Sequence, residues 1–328
     1  VAPPMTDDGT ALGAAWQALS NEPDFKPKPL NSVYLGPYYP KEEAQYLISE
    51  KKIQIRKPKN PAKEIASLLR EGAVVAIFQG AAEFGPRALG NRSILASATD
   101  PEINRTLNEK LNRTEFMPFA PINRIEDAEQ LYQNINQVLH AAKFMTVTVN
   151  CTKKMKTACP ATVHIDGTAR PQLISRNQNP LAYDILTHYQ EICGKPALVN
   201  TSFNIHEEPI VSSPEDALRG FFLSGLDYLY LEHAGLISFK ENEVTAVNYL
   251  QEALKNPDQK QSGLFKAREL LINERAQLLQ NLDEKEVVIE NQGKLLNKFH
   301  SRFRYWKYLI VPTEKLFAPF KTMCNPLK

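Results

Sequence analysis

Residues 72–78, GAVVAIF, decide the fold class, because this short apolar run is rich in β-branched side chains. It predicts a buried strand that ends at residues 79–80. Further strands are predicted at residues 144–149, 197–200 and 228–231. Apolar spacing, proline starts and glycine stops predict helices between them, at residues 61–70, 101–111 (with Asp100 as N-cap), 180–193 and 214–224. Strands and helices mix throughout residues 31–240, so we predict one α/β or α+β domain there.

The composition of the 328-residue chain excludes several classes of protein. Hydrophobic residues make up 43% and charged residues 23% of the chain, which are ordinary values for a globular protein. With 39 basic and 37 acidic residues, the net charge of +2 gives no general attraction to nucleic acid, and we expect no nucleic-acid partner. No apolar run reaches the roughly 18 residues that a membrane span needs. Four cysteines without a C-x-x-C pair favour a reducing compartment, so we expect a cytoplasmic protein.

The N-terminal residues differ from the middle of the chain. Residues 1–15 predict a turn followed by a helix of small residues, which we expect to lie against another element or a ligand. Because little chain precedes that helix, we infer the C-terminal part of a longer protein or one half of a split protein. A proline-containing linker follows Trp16.

Residues 241–328 form a helical, basic extension by their pattern. Apolar side chains recur at spacings of three, four and seven over residues 264–306, which predicts a long amphipathic helix and allows a short coiled coil. Residues 294–328 hold eight Lys or Arg and one Glu, a net charge of 8 − 1 = +7. The extension is either solvated or packed on its own protein, or else it docks a partner, forms a homo-oligomer or contacts an anionic surface.

Residues 83–95, EFGPRALGNRSIL, carry the densest polar signal and follow the first predicted strand. Glycine lets a ligand approach the backbone, and arginine donates planar, bidentate hydrogen bonds to phosphate or carboxylate. Arg87, Arg92 and Ser93 are therefore candidate contacts to an anion such as a nucleotide phosphate. The alternative is a salt bridge between Arg87 and Glu83, with ordinary turns at the glycines. The loop lacks the G-x-x-x-x-G-K-[ST] pattern of a Walker P-loop.

Two further polar segments are candidates for the same site. In HIDGTARPQ at 164–172, Arg170 is long enough to reach the anion, and His164 is a candidate phosphate contact or general base. The alternative for His164 is a purely structural hydrogen bond. In NTSFN at 200–204, small polar side chains follow an apolar strand, and ligands of α/β sheets collect at the carboxyl ends of strands. The alternative there is a turn whose side chains satisfy only their own backbone.

Taken in order, five segments of the chain resemble the NodU/CmcH-type carbamoyltransferases. They are the run at 83–95, RTEFMPFAP at 113–121, HIDGTAR at 164–170, NTSFN at 200–204 and SGLD at 224–227. The resemblance covers roughly residues 1–240. It implies that residues 1–30 are the end of an actin-like-ATPase-superfamily transferase domain with its linker. It also implies that residues 31–240 form a YrdC-like domain, a twisted open sheet with helices, ahead of the extension at 241–328.

The resemblance also implies a reaction. In this family the YrdC-like part makes carbamoyl-adenylate from carbamoyl phosphate and ATP, with release of pyrophosphate, and the N-terminal part transfers the carbamoyl group to a hydroxyl acceptor. By resemblance, the catalytic residues are Arg87, Arg170 and Lys110. The implied substrate contacts are Arg92, Ser93, Asn200, Ser202, Asn204, Arg113 and His164, with Arg113 serving where many relatives carry an arginine in place of Met117.

The same resemblance implies two kinds of metal and a set of partners. Mg²⁺ would offset the charge of the ATP triphosphate. Asp7, in the T-D-x-G context at residues 6–9, matches a ligand of a divalent metal, with iron as a candidate, whose two histidine ligands belong to the N-terminal domain. The implied partners are ATP, carbamoyl phosphate and that N-terminal domain or subunit. The alternative is a nucleotide-binding or scaffolding subunit without turnover, which docks partners through its C-terminal helix.

Overall fold

The computed structural model describes residues 3–4, 7–26, 30, 32–111, 113, 119–205 and 208–255. The chain divides into two compact units, Val1–Gln261 and Ser262–Lys328, and every described residue belongs to the first. The amphipathic helix predicted for residues 264–306 and the basic end of the chain lie outside the described residues. No helix among the described residues is both long enough and apolar enough to cross a membrane.

A seven-stranded mixed sheet forms the centre of the first unit. In chain order the strands are β1 (Val75–Phe78), β2 (Arg92–Ser97), β3 (Ala120–Arg124), β4 (Val149–Asn150), β5 (Thr168–Ala169), β6 (Gln172–Ile174), β7 (Ala197–Ser202), β8 (Tyr228–Leu231) and β9 (Gly235–Ser238). The large sheet has the order β6-β3-β7-β2-β1-β8-β9, and β4 pairs with β5 in a second, two-stranded sheet.

Ten α-helices lie before, between and after these strands in the described residues. They are α1 (Thr10–Leu19), α2 (Lys41–Glu50), α3 (Pro61–Arg70), α4 (Glu102–Lys110), α5 (Ala128–Leu131), α6 (Leu139–Ala142), α7 (Lys153–Ala158), α8 (Pro180–Cys193), α9 (Pro214–Ser224) and α10 (Glu243–Lys255). Helices packed on an open mixed sheet confirm the α/β class that the sequence predicts.

The register of the sheet brings several loop ends to one edge. Phe78 at the end of β1 pairs with Arg92 at the start of β2, and Ser93 pairs with Ser202 at the end of β7. Asn200 pairs in turn with Ala120 at the start of β3. These residues lie at the C-terminal ends of β1 and β7, and we call this end of the sheet the Arg92 edge. The polar segments that follow β1 and β7 therefore meet there, as ligand-binding loops of α/β sheets commonly do.

The main core lies between the sheet and the helices α3 and α8. Ile65 and Leu69 of α3 pack with Ile185 of α8 against Val75 and Ile77, and all five are buried. Side chains alternate between the two faces of a strand, so Ala76 and Phe78 point to the other face, toward α9. Burial of β1 on both faces explains its uninterrupted apolar sequence.

The helix boundaries show which local signals were reliable. Helix α8 begins where the Asn179 side chain accepts a hydrogen bond from the backbone of Ala182, and it ends at Gly194 with φ of 68°. Helix α9 begins at a capping box between Ser213 and Asp216. Asp100 accepts a hydrogen bond from the Glu102 backbone at 3.0 Å, but the N-cap of α4 is Pro101, so this helix starts at Glu102, one residue later than predicted. Helices with such end signals are confirmed nearly to the residue.

Two sequence expectations differ from the structure. The strand predicted for residues 144–149 is wrong, because only Val149–Asn150 is a strand and Met145 has a left-handed φ of 54°. Its apolar side chains are nevertheless buried, at Phe144 and Met145, in a satellite cluster with Val33 and Leu89. Helix α1 forms as predicted, but none of its residues is buried.

Candidate functional site

A buried carboxylate organises the loop before β2. The Glu83 Oε1 atom accepts hydrogen bonds from the backbone N–H groups of Leu89 (2.6 Å), Asn91 (2.8 Å) and Arg92 (3.2 Å). Burial raises the pKa of Glu83, and these backbone hydrogen bonds partly oppose that rise. Glu83 forms no salt bridge with Arg87, so that alternative is wrong. The Glu83 carboxylate instead joins the two ends of the loop, and Arg87 lies between them in the sequence.

Arg92 and Ser93 support this loop from inside. The Arg92 guanidinium donates to the carbonyls of Gln79 (2.6 Å), Asn91 (3.2 Å) and Gly80 (3.2 Å), and it lies 3.7 Å from the centroid of the Phe78 ring. Both Arg92 and Ser93 are 0% exposed, and the Ser93 hydroxyl accepts from the Gly90 backbone. Neither side chain reaches the surface of the structure, although the buried Nε of Arg92 has no hydrogen-bond acceptor. The sequence interpretation of Arg92 and Ser93 as direct contacts is therefore corrected to a supporting role.

Arg87 and Arg170 form the cationic part of the site. Their segments are brought together by Gln172, whose side chain donates to the carbonyl of Leu89 at 2.6 Å. Burial and then the positive charge of Arg87 lower the pKa of Arg170. Both side chains are half-buried. The buried Nε of Arg170 has no hydrogen-bond acceptor, and neither arginine pairs with a carboxylate within the described parts of the chain. Two adjacent cations without an acidic partner provide donors for an anion.

His164, six residues before Arg170, has a tautomer that its hydrogen bond to Thr168 defines. The Thr168 hydroxyl donates to Asp166 at 2.7 Å, so its oxygen accepts from Nδ1–H of His164 at 3.0 Å. Burial lowers the pKa of His164, the Asp166 charge raises it, and the Arg170 charge lowers it further. The ring is thus neutral near pH 7, and its Nε2 atom carries the lone pair. The hydrogen bond to Thr168 is the structural role considered for His164 in the sequence analysis. The free lone pair on Nε2 is what its other predicted role, a phosphate contact or general base, requires.

Arg113 joins the residues that follow β7. Its guanidinium donates to the hydroxyls of Thr201 (2.8 Å) and Ser202 (2.9 Å), and to Oδ1 of Asn204 (2.9 Å). The Ser202 hydroxyl also donates to Asn204 at 2.6 Å. The structure therefore brings together three of the predicted contacts, Arg113, Ser202 and Asn204, as one hydrogen-bonded cluster at the Arg92 edge.

Asn200 is placed behind the surface. It is 1% exposed, and its amide donates to the carbonyl of Ala88 at 3.2 Å and to Oε1 of Gln172 at 2.6 Å. The predicted direct contact of Asn200 with a ligand is corrected for the same reason as that of Arg92. The position of Asn200 instead ties β7 to the segments of the two arginines.

Lys110 does not join the other candidates, and the Asp7 side chain makes no contact with them that defines a metal site. The Lys110 amine binds the carbonyl of Gly225 and lies 3.4 Å from Asp227, which accepts from the backbone of Val74. Val74 precedes β1, so Lys110 reaches the opposite edge, about 13 Å along the strand from Phe78. Asp7 is exposed in a short turn, and the described residues contain no group of three or more His, Cys, Asp or Glu side chains that could hold a metal.

Three supporting residues, Glu83, Gln172 and Asn179, were missed from the sequence as parts of the site. Asn179 is 3% exposed and hydrogen-bonds Gln79 (3.1 Å) and Asn91 (2.9 Å) besides capping α8. Pro180 signals the start of the helix in the sequence, but nothing there signals the contacts of Asn179 to the loop. Nothing in the local sequence distinguishes Gln172, because its partners Leu89 and Asn200 lie far away along the chain.

Comparison with known proteins assigns the family. The family model described as carbamoyltransferase C-terminus matches residues 66–237, which is more than half of the chain. The chain belongs to the carbamoyltransferase C-terminus family. The resemblance seen in the motifs is thereby confirmed, and the matched region of this carbamoyltransferase C-terminus chain contains Arg87, Arg113, His164 and Arg170.

Curated relatives of this carbamoyltransferase C-terminus chain are much longer. Nodulation protein NolO of Bradyrhizobium diazoefficiens is 36% identical over 234 residues, covering 70% of this chain and 42% of that protein. Nodulation protein U of Rhizobium tropici is 36% identical over 206 residues, covering 63% of this chain and 34% of that protein. The chain thus spans about two fifths or less of these relatives. A crystal structure of full-length HypF in the phosphate- and nucleotide-bound form matches with a TM-score of 0.39 and 19% identity, over 56% of this chain and 22% of that one.

Proposed function

We propose that this chain binds ATP and carbamoyl phosphate and forms carbamoyl-adenylate, which a preceding transferase part uses to carbamoylate a hydroxyl acceptor. One observation carries the proposal: the hydrogen bond from Gln172 to Leu89 joins the segments of Arg87 and Arg170, and neither arginine pairs with a carboxylate among the described residues. Both substrates are polyanions. The reaction balances as carbamoyl phosphate, ATP and one water giving carbamoyl-adenylate, phosphate and pyrophosphate.

Each group of the site has a role in this proposal. Arg87 and Arg170 bind phosphate oxygens and stabilise the negative charge that develops at phosphorus, because fixed donors are already oriented toward it. The Nε2 lone pair of His164 accepts the proton of an attacking water or of a bound hydroxyl. The cluster of Arg113, Ser202 and Asn204 forms a rigid polar wall at the same edge. Mg²⁺ enters with ATP and neutralises part of the triphosphate charge.

We propose that an N-terminal transferase domain or subunit performs the transfer step. We propose that Asp7 serves there as one ligand of a divalent metal, with iron as a candidate, completed by histidines of the N-terminal domain. Asp7 and Asp8 both lie exposed in the turn Asp7–Gly9, so the carboxylate of Asp7 is accessible to such a partner. Transfer to the acceptor is therefore expected only when that domain or subunit is supplied.

The proposal is tested by titrating carbamoyl phosphate into the chain by calorimetry and by measuring pyrophosphate release with ATP present. Arg87→Ala and Arg170→Ala should each weaken carbamoyl phosphate binding about 10- to 100-fold, the usual loss for a charged hydrogen bond. The matched control is Arg176→Ala, because Arg176 is exposed and pairs with Asp184 away from the site. Equal binding in all four proteins would refute the site. Nucleotide binding without any pyrophosphate release would instead favour a subunit without turnover.

A further inference from the structure

The segments that carry Arg87 and Arg170 are not held next to each other by strand pairing in the sheet. Arg87 lies in the loop before β2, and Arg170 lies directly before β6. Strands β3 and β7 separate β6 from β2 in the sheet, so no strand pairing joins the two segments. The like charges of Arg87 and Arg170 also repel each other, most strongly when no anion is bound.

Gln172 connects the two segments through its side chain. Its Nε2 atom donates to the carbonyl of Leu89 at 2.6 Å, two residues after Arg87. Its Oε1 atom accepts from Asn200 at 2.6 Å, and the same Asn200 amide donates to the carbonyl of Ala88 at 3.2 Å. Gln172 is only 2% exposed, so water does not compete for these hydrogen bonds. The amide therefore ties the backbone next to Arg87 to the strand that follows Arg170.

We infer that Gln172 is a positioning residue, which holds the segments of Arg87 and Arg170 at the separation at which both guanidinium groups reach one phosphate. The inference rests on the proposed function, because it requires that these two arginines bind phosphate. Gln172 itself does not face the ligand. Its effect passes through the backbone at Leu89 and through the two-residue distance to Arg170, so it acts on the geometry of the arginine pair.

The first test compares two glutamine variants of the full chain. Gln172→Met conserves side-chain volume and removes both hydrogen bonds, and we expect it to weaken binding of carbamoyl phosphate and of inorganic phosphate at least about tenfold, since small misplacements of binding groups are costly. Gln178→Met is the matched control, because half-buried Gln178 only accepts from Ser175. It should bind both probes as the wild type does. Thermal midpoints without ligand, measured alongside, separate lost stability from lost affinity.

The second test is a double-mutant cycle that a merely structural role would not satisfy. In an Arg170→Ala background only one guanidinium remains to be positioned, so adding Gln172→Met should lower phosphate affinity by less than about threefold. If Gln172 acted on binding independently of Arg170, Gln172→Met would weaken phosphate binding by the same factor in the Arg170→Ala background as in the wild type. If Gln172→Met does not fold, Gln172→Asn replaces it in both tests, because its amide is one methylene too short to reach Leu89 and Asn200 together.

The outcomes distinguish this inference from the proposed function. If the wild-type chain binds neither phosphate probe, the proposed function fails and the inference falls with it. If the wild type binds phosphate and Gln172→Met binds it equally well, the inference alone is overturned. Tenfold weaker binding with non-additivity toward Arg170→Ala supports both.

Discussion

Arg87 and Arg92 lie five positions apart in one loop, yet the structure gives them opposite roles. Arg92 is fully buried and its guanidinium donates to three backbone carbonyls, whereas Arg87 is half-buried beside Arg170. The five N–H donors of a guanidinium group can bind backbone carbonyls or an anion equally well, so the residue type alone does not distinguish the role of Arg92 from that of Arg87. Strand register separates them, because Arg92 begins β2 and pairs with Phe78 inside the sheet.

Alanine substitutions should separate these roles. We expect Arg92→Ala to lower the free energy of unfolding by about 3 kcal/mol, because it leaves buried carbonyls of Gln79 and Gly80 without donors. Arg87→Ala should change it by less than about 0.5 kcal/mol, as is usual for a partly exposed side chain without structural partners. Urea denaturation followed by circular dichroism measures both. Similar losses of stability for the two variants would contradict the assigned roles.

His164 should report the charge of its neighbour. The Arg170 charge lowers the pKa of His164, so we expect Arg170→Ala to raise that pKa. Binding of phosphate at the arginine pair should raise it as well, since an anion favours the protonated ring. NMR titration of the imidazole measures both shifts, with His164→Gln to assign the resonance among the six histidines. An unchanged pKa in Arg170→Ala would show that the two side chains do not interact.

At the scale of elements, the two helices that start with Asn-Pro offer a matched comparison. Asn60 caps α3 and is exposed, while Asn179 caps α8 and also hydrogen-bonds Gln79, Asn91 and Tyr34. Asn60→Ala should cost about 1 kcal/mol of stability, the usual value of an N-cap. Asn179→Ala should cost about 3 kcal/mol, because it also leaves buried polar partners unsatisfied.

The same pair of variants tests whether the cap of α8 supports the site. Gly90 has a φ of 111°, and a Cβ at that position would lie 2.9 Å from the Asn179 amide, so cap and loop are in close contact. Asn179→Ala should therefore weaken carbamoyl phosphate binding as well as stability, whereas Asn60→Ala should leave binding unchanged. Thermal melts and calorimetry on the two proteins decide this, and equal binding would remove the cap from the support of the site.

Local sequence signals predicted elements well where the ends of an element are chemically marked. The Asn and Ser caps and the Gly194 stop gave α8 and α9 their boundaries. The strand prediction for residues 144–149 is wrong because apolar residues that are buried in a loop have the same sequence pattern as those buried in a strand. The sequence did not indicate strand β2, because a buried strand normally shows an apolar run and β2 begins with the polar residues Arg92 and Ser93. Their burial becomes possible only after Glu83 and Gln79 are brought to them by folding.

At the scale of the whole molecule, the sequence predicted that distant polar segments meet, but not what each residue does there. The segments of Arg87, Arg170 and Asn204 do come to the Arg92 edge or next to it. Which side chains face a ligand depends on pairings across the sheet, such as Ser93 with Ser202, that no local pattern encodes. Lys110 shows the same limit, because it stands only three residues before Arg113 in the sequence, yet its amine lies beside Asp227 at the opposite edge.

The last prediction concerns the two units of the chain. The site, the sheet and the matched family region all lie within Val1–Gln261. A chain truncated after Gln261 should therefore keep its thermal midpoint within a few degrees and bind carbamoyl phosphate as the full chain does, since about 1 kcal/mol shifts the midpoint of a domain of 150–250 residues by about 2–4 °C. Light scattering of both proteins then tests the predicted oligomerisation through residues 264–306. If that segment pairs copies of the chain, the full protein is larger than a monomer and the truncated protein is monomeric; loss of phosphate binding on truncation would contradict the assignment of the whole site to Val1–Gln261.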